Sequence, residues 1–187
     1  MARRIPKRPI ERNLFVWNEE QKYCLDTPER ALEYCKTLFE GNDTHCVIEK
    51  LIEDNDQLTL ALMPMDNSDG ALKKIGEDKF EIQINSNNIK SRQRFTMAHE
   101  FAHYQLHRTE IDKLPPNEKI LFRDEKRDFR EYAANQFAAE LLMPTEEFLL
   151  KLKNLSTSEN TIEKLSEAFE VSKAAVSFRA QNLGVVI

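Results

Sequence analysis

A chain of 187 residues, 41% hydrophobic and 32% charged with a net charge of −5, is long enough to bury a full core, and one globular domain is the expectation. No apolar run approaches the length of a membrane span, and the basic start Met1-Ala-Arg-Arg-Ile-Pro-Lys-Arg8 lacks the apolar core of a signal peptide, which points to a cytoplasmic protein with no membrane role. Cys24, Cys35 and Cys46 are odd in number and form no CxxC pair, so they read as reduced thiols rather than a disulfide framework or a cysteine zinc site.

In chain order, residues 1–20 read as a basic arm. Within residues 1–12, Arg3, Arg4, Lys7, Arg8 and Arg12 stand against Glu11 alone, a local excess of four positive charges, while the remainder of the chain sums to −9. Such an arm could touch nucleic acid, but a solvated terminus is the commoner case. Thr27 reads as an N-cap with Pro28 as the first helical residue and Gly41 as the stop, around the stripe Ala31, Leu32, Cys35, Leu38 and Phe39. Residues 46–52, 57–65 and 79–85 read as three strands, the last alternating cleanly with Phe80, Ile82 and Ile84 on one face. Asp54-Asn-Asp56 and Asn67-Ser-Asp-Gly70 supply the turns.

A helix then carries Arg94-Phe-Thr-Met-Ala-His-Glu-Phe-Ala-His103, with Phe95, Ala98, Ala102 and Leu106 as an apolar stripe and His99 and His103 along its edge. Residues 109–127, with Pro115-Pro116 and densely spaced charges, read as a mobile connection that could flank a cleft. The segment from Asp128 to Pro144 is a second helix, with Glu131, Asn135, Ala138 and Leu142 on one face and Glu140 pointing away from Glu131.

The tail, 155–187, resembles a helix-turn-helix, with Glu170 where a turn glycine is usual, Ser172 as cap and Gly184 as stop. Lys164, Lys173 and Arg179 stand against Glu159, Glu163, Glu167 and Glu170 from Ser156 onward, a poor balance for DNA. The pair therefore reads as packing or partner-docking structure.

The chemistry lies in the HExxH spacing. Residues four apart sit one above the other, about 6 Å along a helix axis, so two imidazoles can close on one Zn²⁺ at roughly 2.0–2.1 Å each. Glu100 lies about 100° round the helix from His99, where it can reach a water at the open metal position and act as general base. A catalytic zinc site needs a third protein ligand. The candidates are His107, His45 and an acidic residue further on. His107 is about 12 Å along the axis from His99 and reads as a rim residue or a partner of a ligand. Glu131 on the second helix is the better candidate, because Ala134 and Ala138 permit close approach to the Ala98/Ala102 side of the first. Spacing alone leaves it equally an exposed helical glutamate. Asn135, one turn on, could bond the outer nitrogen of a ligand histidine.

Together, Arg94-Phe-Thr-Met-Ala-His-Glu-Phe-Ala-His-Tyr-Gln-Leu-His107 and Glu131-Tyr-Ala-Ala-Asn-Gln-Phe-Ala-Ala-Glu-Leu-Leu-Met-Pro144 resemble the ImmA/IrrE family of zinc metallopeptidases. The resemblance covers roughly residues 25–187. It implies His99, His103 and Glu131 as zinc ligands, Glu100 as catalytic base, and the helical tail as part of the peptidase module. It also implies a compact zincin-like α+β domain of the gluzincin type over 21–187, here with a small, mainly antiparallel sheet. The function implied is limited proteolysis of a helix-turn-helix repressor, often of the Xre type. The rival is a zinc-binding sensor that binds a regulator without cleaving it. Tyr104, His107 and Tyr132 are the nearby options for an oxyanion donor.

Overall fold

The computed structural model describes residues 24–38, 48–111, 113, 127–155 and 160–187. The basic arm, Gly41, His45, Cys46 and nearly all of the 112–126 connection lie outside the described residues. Helix α1 spans Pro28–Thr37; the Thr27 hydroxyl accepts from the Arg30 N–H at 3.3 Å, and Pro28 enters the first turn, where its missing N–H costs nothing.

The segment 46–52, expected as a strand, instead contributes helix α2, Ile48–Glu53. Ile48, Leu51 and Ile52 are its buried residues, a three-and-four spacing that makes one helical face, and that periodicity outweighs the β-propensity of the isoleucines.

Strands β1 (Leu58–Met63), β2 (Gly70–Gly76) and β3 (Lys79–Asn85) form one sheet in the order β1-β3-β2. The sheet is mixed rather than mainly antiparallel: β3 pairs antiparallel with β2 and parallel with β1. The cause is the connection 64–69, which crosses the end of β3 instead of turning back as a hairpin. Asn85 fastens that crossover, its side chain accepting from the Met65 N–H at 3.2 Å and donating to Met65 O at 2.7 Å and Ser68 O at 3.0 Å. Strand β2 was not expected. Lys73-Lys74 interrupts its alternation, yet Leu72 and Lys74 are both buried. Gly70 starts it against the next helix: a Cβ there would lie 2.4 Å from Thr96 Cγ2 and 2.9 Å from Gln83 O, so only glycine allows the approach.

Helix α3 (Lys90–Leu106) lies between the sheet and helix α5 (Arg127–Leu142), and short helix α4 (Arg108–Ile111) follows directly from it. The single apolar stripe expected of α3 is too narrow. Met97, Phe101 and Tyr104 are buried as well, because the helix is covered on two sides; Phe80 meets Tyr104 edge-on from the sheet, and Phe101 meets Phe137 from α5. Helices α6 (Thr145–Leu155), α7 (Thr161–Ala168) and α8 (Lys173–Asn182) complete the described fold, with α8 packed on α5.

The turn between α7 and α8 holds Glu170 in the left-handed region, φ 53°, and its carboxylate meets Arg94 of α3 at 2.7 Å. Ser172 caps α8 by accepting from the Ala175 N–H. Arg179 is 3% exposed, donates to Met143 O at 3.0 Å and to Thr145 Oγ1 at 2.7 Å, and pairs with Glu140 of α5. Lys173 pairs with Glu163 at 2.6 Å. Two of the three basic residues of the tail are thus engaged within the fold.

The Arg179–Glu140 pair yields a stability prediction. Removing one partner of a buried pair strands the other charge, so Glu140→Ala should cost about 3–5 kcal/mol in urea unfolding. Glu33→Ala, on an exposed position of α1, should stay within about 0.5 kcal/mol. Equal effects would deny the pair its role in holding α8 on α5.

Candidate metal centre

Helices α3 and α5 meet through small residues. Ala98 and Ala102 on one and Ala134 and Ala138 on the other are all fully buried. That approach brings Glu131 to the two histidines. His99 Nε2 and His103 Nε2 are 3.0 Å apart; Glu131 Oε2 lies 3.2 Å from the first and Glu131 Oε1 3.5 Å from the second. Among the described residues, His99, His103 and Glu131 are the group whose donor atoms all lie within 4.8 Å of one another. An ion held tetrahedrally at roughly 2.0–2.1 Å separates its ligand atoms by about 3.3 Å, so the three donors already stand at the spacing a zinc-sized ion requires. Two imidazole nitrogens and one carboxylate oxygen also form a donor set suited to zinc, with a fourth position left over.

The outer nitrogens are engaged too. His99 Nδ1 lies 3.0 Å from Asn135 Oδ1, the contact expected from the helical register, and His103 Nδ1 lies 3.2 Å from His107 Nδ1. His107 therefore touches His103 and does not join the three-donor group. Glu140, on the same helix as Glu131, pairs with Arg179.

These donors open on a cleft of about 620 Å³. Met63, Pro64 and Met65 form one wall, and Gly70, Ala71 and Leu72 of edge strand β2 line it beside His99, Glu100, His103 and Glu131. Neither β2 nor the 64–69 crossover was expected here; the close glycine at position 70 was the one local sign. Tyr104 is fully buried and bonded to Gln57 at 2.8 Å, Tyr132 is exposed and accepts from Gln136 at 2.7 Å, and His107 is turned to His103. None of the three residues considered for an oxyanion donor lines the cleft.

Packing two histidines and two glutamates together displaces their proton affinities. Burial of the Glu100 carboxyl raises its pKa to about 7; the charge of Glu131 adds to this, against the pull of His99 and the Leu72 hydrogen bond. Burial would lower His99, but hydrogen bonding to Glu131 and the charges of Glu100 and Glu131 prevail and raise it. His103 is pushed down by burial and by the neighbouring charge on His99. The cluster thus raises proton affinity at His99 and lowers it at His103.

The IrrE N-terminal-like domain model of peptidase family M78 matches residues 56–181. The radiation response metalloprotease IrrE of Deinococcus deserti is 38% identical over 106 residues, which cover 57% of this chain and 35% of that protein, so the chain matches about a third of the length of this curated relative. A solved Mycobacterium tuberculosis transcriptional regulator superposes with a TM-score of 0.58 at 18% identity, over 86% of this chain and 47% of its own, a likeness of fold alone.

The raised Glu100 pKa has a signed consequence for the metal-free chain. Between about pH 4.5 and 7 the folded state keeps a proton that the unfolded state has released, so this group's contribution to stability falls as pH rises through that window. Glu100→Gln abolishes the titration. Relative to wild type, the metal-free variant should gain roughly 2–3 kcal/mol in denaturant unfolding from pH 4.5 to pH 8. A difference that does not change with pH would place Glu100 in a solvated setting.

Proposed function

Since the chain belongs to peptidase family M78, the IrrE N-terminal-like domains, and hence to a family of metallopeptidases, we propose that it is a zinc-dependent endopeptidase performing limited proteolysis of a transcriptional regulator. The observation that carries this reading is the convergence of His99 Nε2, His103 Nε2 and Glu131 on one point at the foot of an open cleft, with Glu100 beside them. On this reading residues 21–187 act as one zincin-like domain, and the α7–α8 pair serves as packing structure for it.

A zinc ion at this point supplies Lewis-acid polarisation of a peptide carbonyl and acidifies a water molecule. The chain's residues do the rest. Glu100, lining the cleft beside the three donors, accepts the water's proton and returns it to the departing amine. Asn135 holds the His99 ring. Strand β2, an edge of the sheet, offers an extended substrate main-chain pairing along Gly70–Leu72, and Met63, Pro64 and Met65 give its side chains an apolar wall. The substrate assignment, a helix-turn-helix repressor of the Xre type, comes from the family resemblance. The acidic body suits a basic DNA-binding partner by charge complementarity.

Three outcomes test this. Glu131→Ala should lose most of the zinc that elemental analysis finds in wild type, because two histidines alone make an incomplete site; full zinc in that variant would move the ligand role elsewhere. Wild type with zinc and a co-encoded helix-turn-helix repressor should give discrete fragments that chelator abolishes, while casein stays intact. Glu100→Gln should bind zinc and repressor and leave the repressor whole. Binding without cleavage by wild type would replace the peptidase with a zinc-dependent sensor.

A further inference from the structure

His99 and His103 both aim Nε2 at the convergence point, so each neutral ring that coordinates through Nε2 keeps its proton on Nδ1. The direction of each ring is then set by whatever accepts that Nδ1–H. For His99 the acceptor is the Asn135 carbonyl, delivered from α5 at 3.0 Å. For His103, His107 Nδ1 lies within reach at 3.2 Å, on the next turn of its own chain.

We propose that His107 is a positioning residue for the metal site: its Nδ1 accepts the His103 Nδ1–H and holds His103 Nε2 in the coordinating direction. This rests on the zinc-binding reading above. The assignment fixes a tautomer, since His107 must carry its own proton on Nε2 to leave Nδ1 free to accept.

The backbone of His107 is built to keep the ring there. The residue ends α3 with φ −119° and ψ 17°, outside helical geometry. Its N–H still donates to His103 O at 3.0 Å, while its carbonyl accepts from the Glu110 and Ile111 N–H groups, each at 3.0 Å, and so starts α4. The residue is 9% exposed. Arg130, adjacent in sequence to Glu131, meets Glu110 at 2.6 Å and ties α5 to α4. An acceptor anchored by three main-chain bonds is already in position before any ion arrives, which is what a supporting residue contributes to metal affinity.

The test is zinc affinity, read by competition with a chromophoric chelator on the full chain. His107→Ala should weaken binding about 10–100-fold, the usual effect of removing such a partner. His107→Asn places an amide oxygen where Nδ1 stood and should recover most of that loss. Melting of the metal-free proteins separates positioning from general structural damage, because both variants should melt alike. Wild-type affinity in His107→Ala would overturn the role. So would His107→Asn binding as weakly as His107→Ala when the two metal-free proteins melt together. A wild-type chain that takes up no zinc would overturn the zinc reading itself and this role with it.

Discussion

The close contact of α3 with α5 is the constraint on which the candidate site depends. Side-chain volume at a helix contact sets how near two axes come, and four fully buried alanines reduce it to a minimum. Interiors are packed densely enough that even one added methylene is felt, so enlarging Ala98 or Ala134 would move α5, and Glu131 and Asn135 with it. The remaining architecture braces that contact. The sheet holds α3 through Phe80 against Tyr104, α8 holds α5 through Arg179, and α4 holds the other end of α5 through Arg130.

The contact gathers like and unlike charges where water is scarce. Two carboxylates and two imidazoles lining one cleft shift one another's proton affinities; Glu100 rises, His99 rises and His103 falls. A buried polar cluster of this kind is costly unless every member is satisfied. A divalent cation among the three donors would favour ionised Glu131 and neutral histidines together, which makes the cluster coherent as a site and poor as a structural ion pair.

Much of this was legible in the sequence because helices write their geometry in fixed offsets. The His99/His103 register, the shared face of Glu131 and Asn135, the caps at Thr27 and Ser172 and the special position of Glu170 all follow from 3.6-residue periodicity or from local capping chemistry. The sheet was read less well, since strand pairing depends on residues distant in sequence. Lys73-Lys74 disguised β2, the isoleucines of α2 suggested a strand, and nothing local announces that residues 64–69 cross β3 and make one pairing parallel. The burial of α3 was underestimated for a related reason: a helix covered on two sides cannot show a single apolar stripe.

The crossover at residues 64–69 is held chiefly through main-chain atoms. Asn85 grips Met65 N, Met65 O and Ser68 O, and these groups exist whatever side chains the loop carries. Asp66, Asn67 and Ser68 are exposed and line the cleft, whereas Asp69 next door is committed to Arg92 and Asn88. The shape of the wall and the chemistry of its surface are thereby uncoupled. Three consecutive positions are free to drift in charge and size while the strands beneath them stay in register, so this edge of the cleft is where new selectivity can evolve at the least cost to folding.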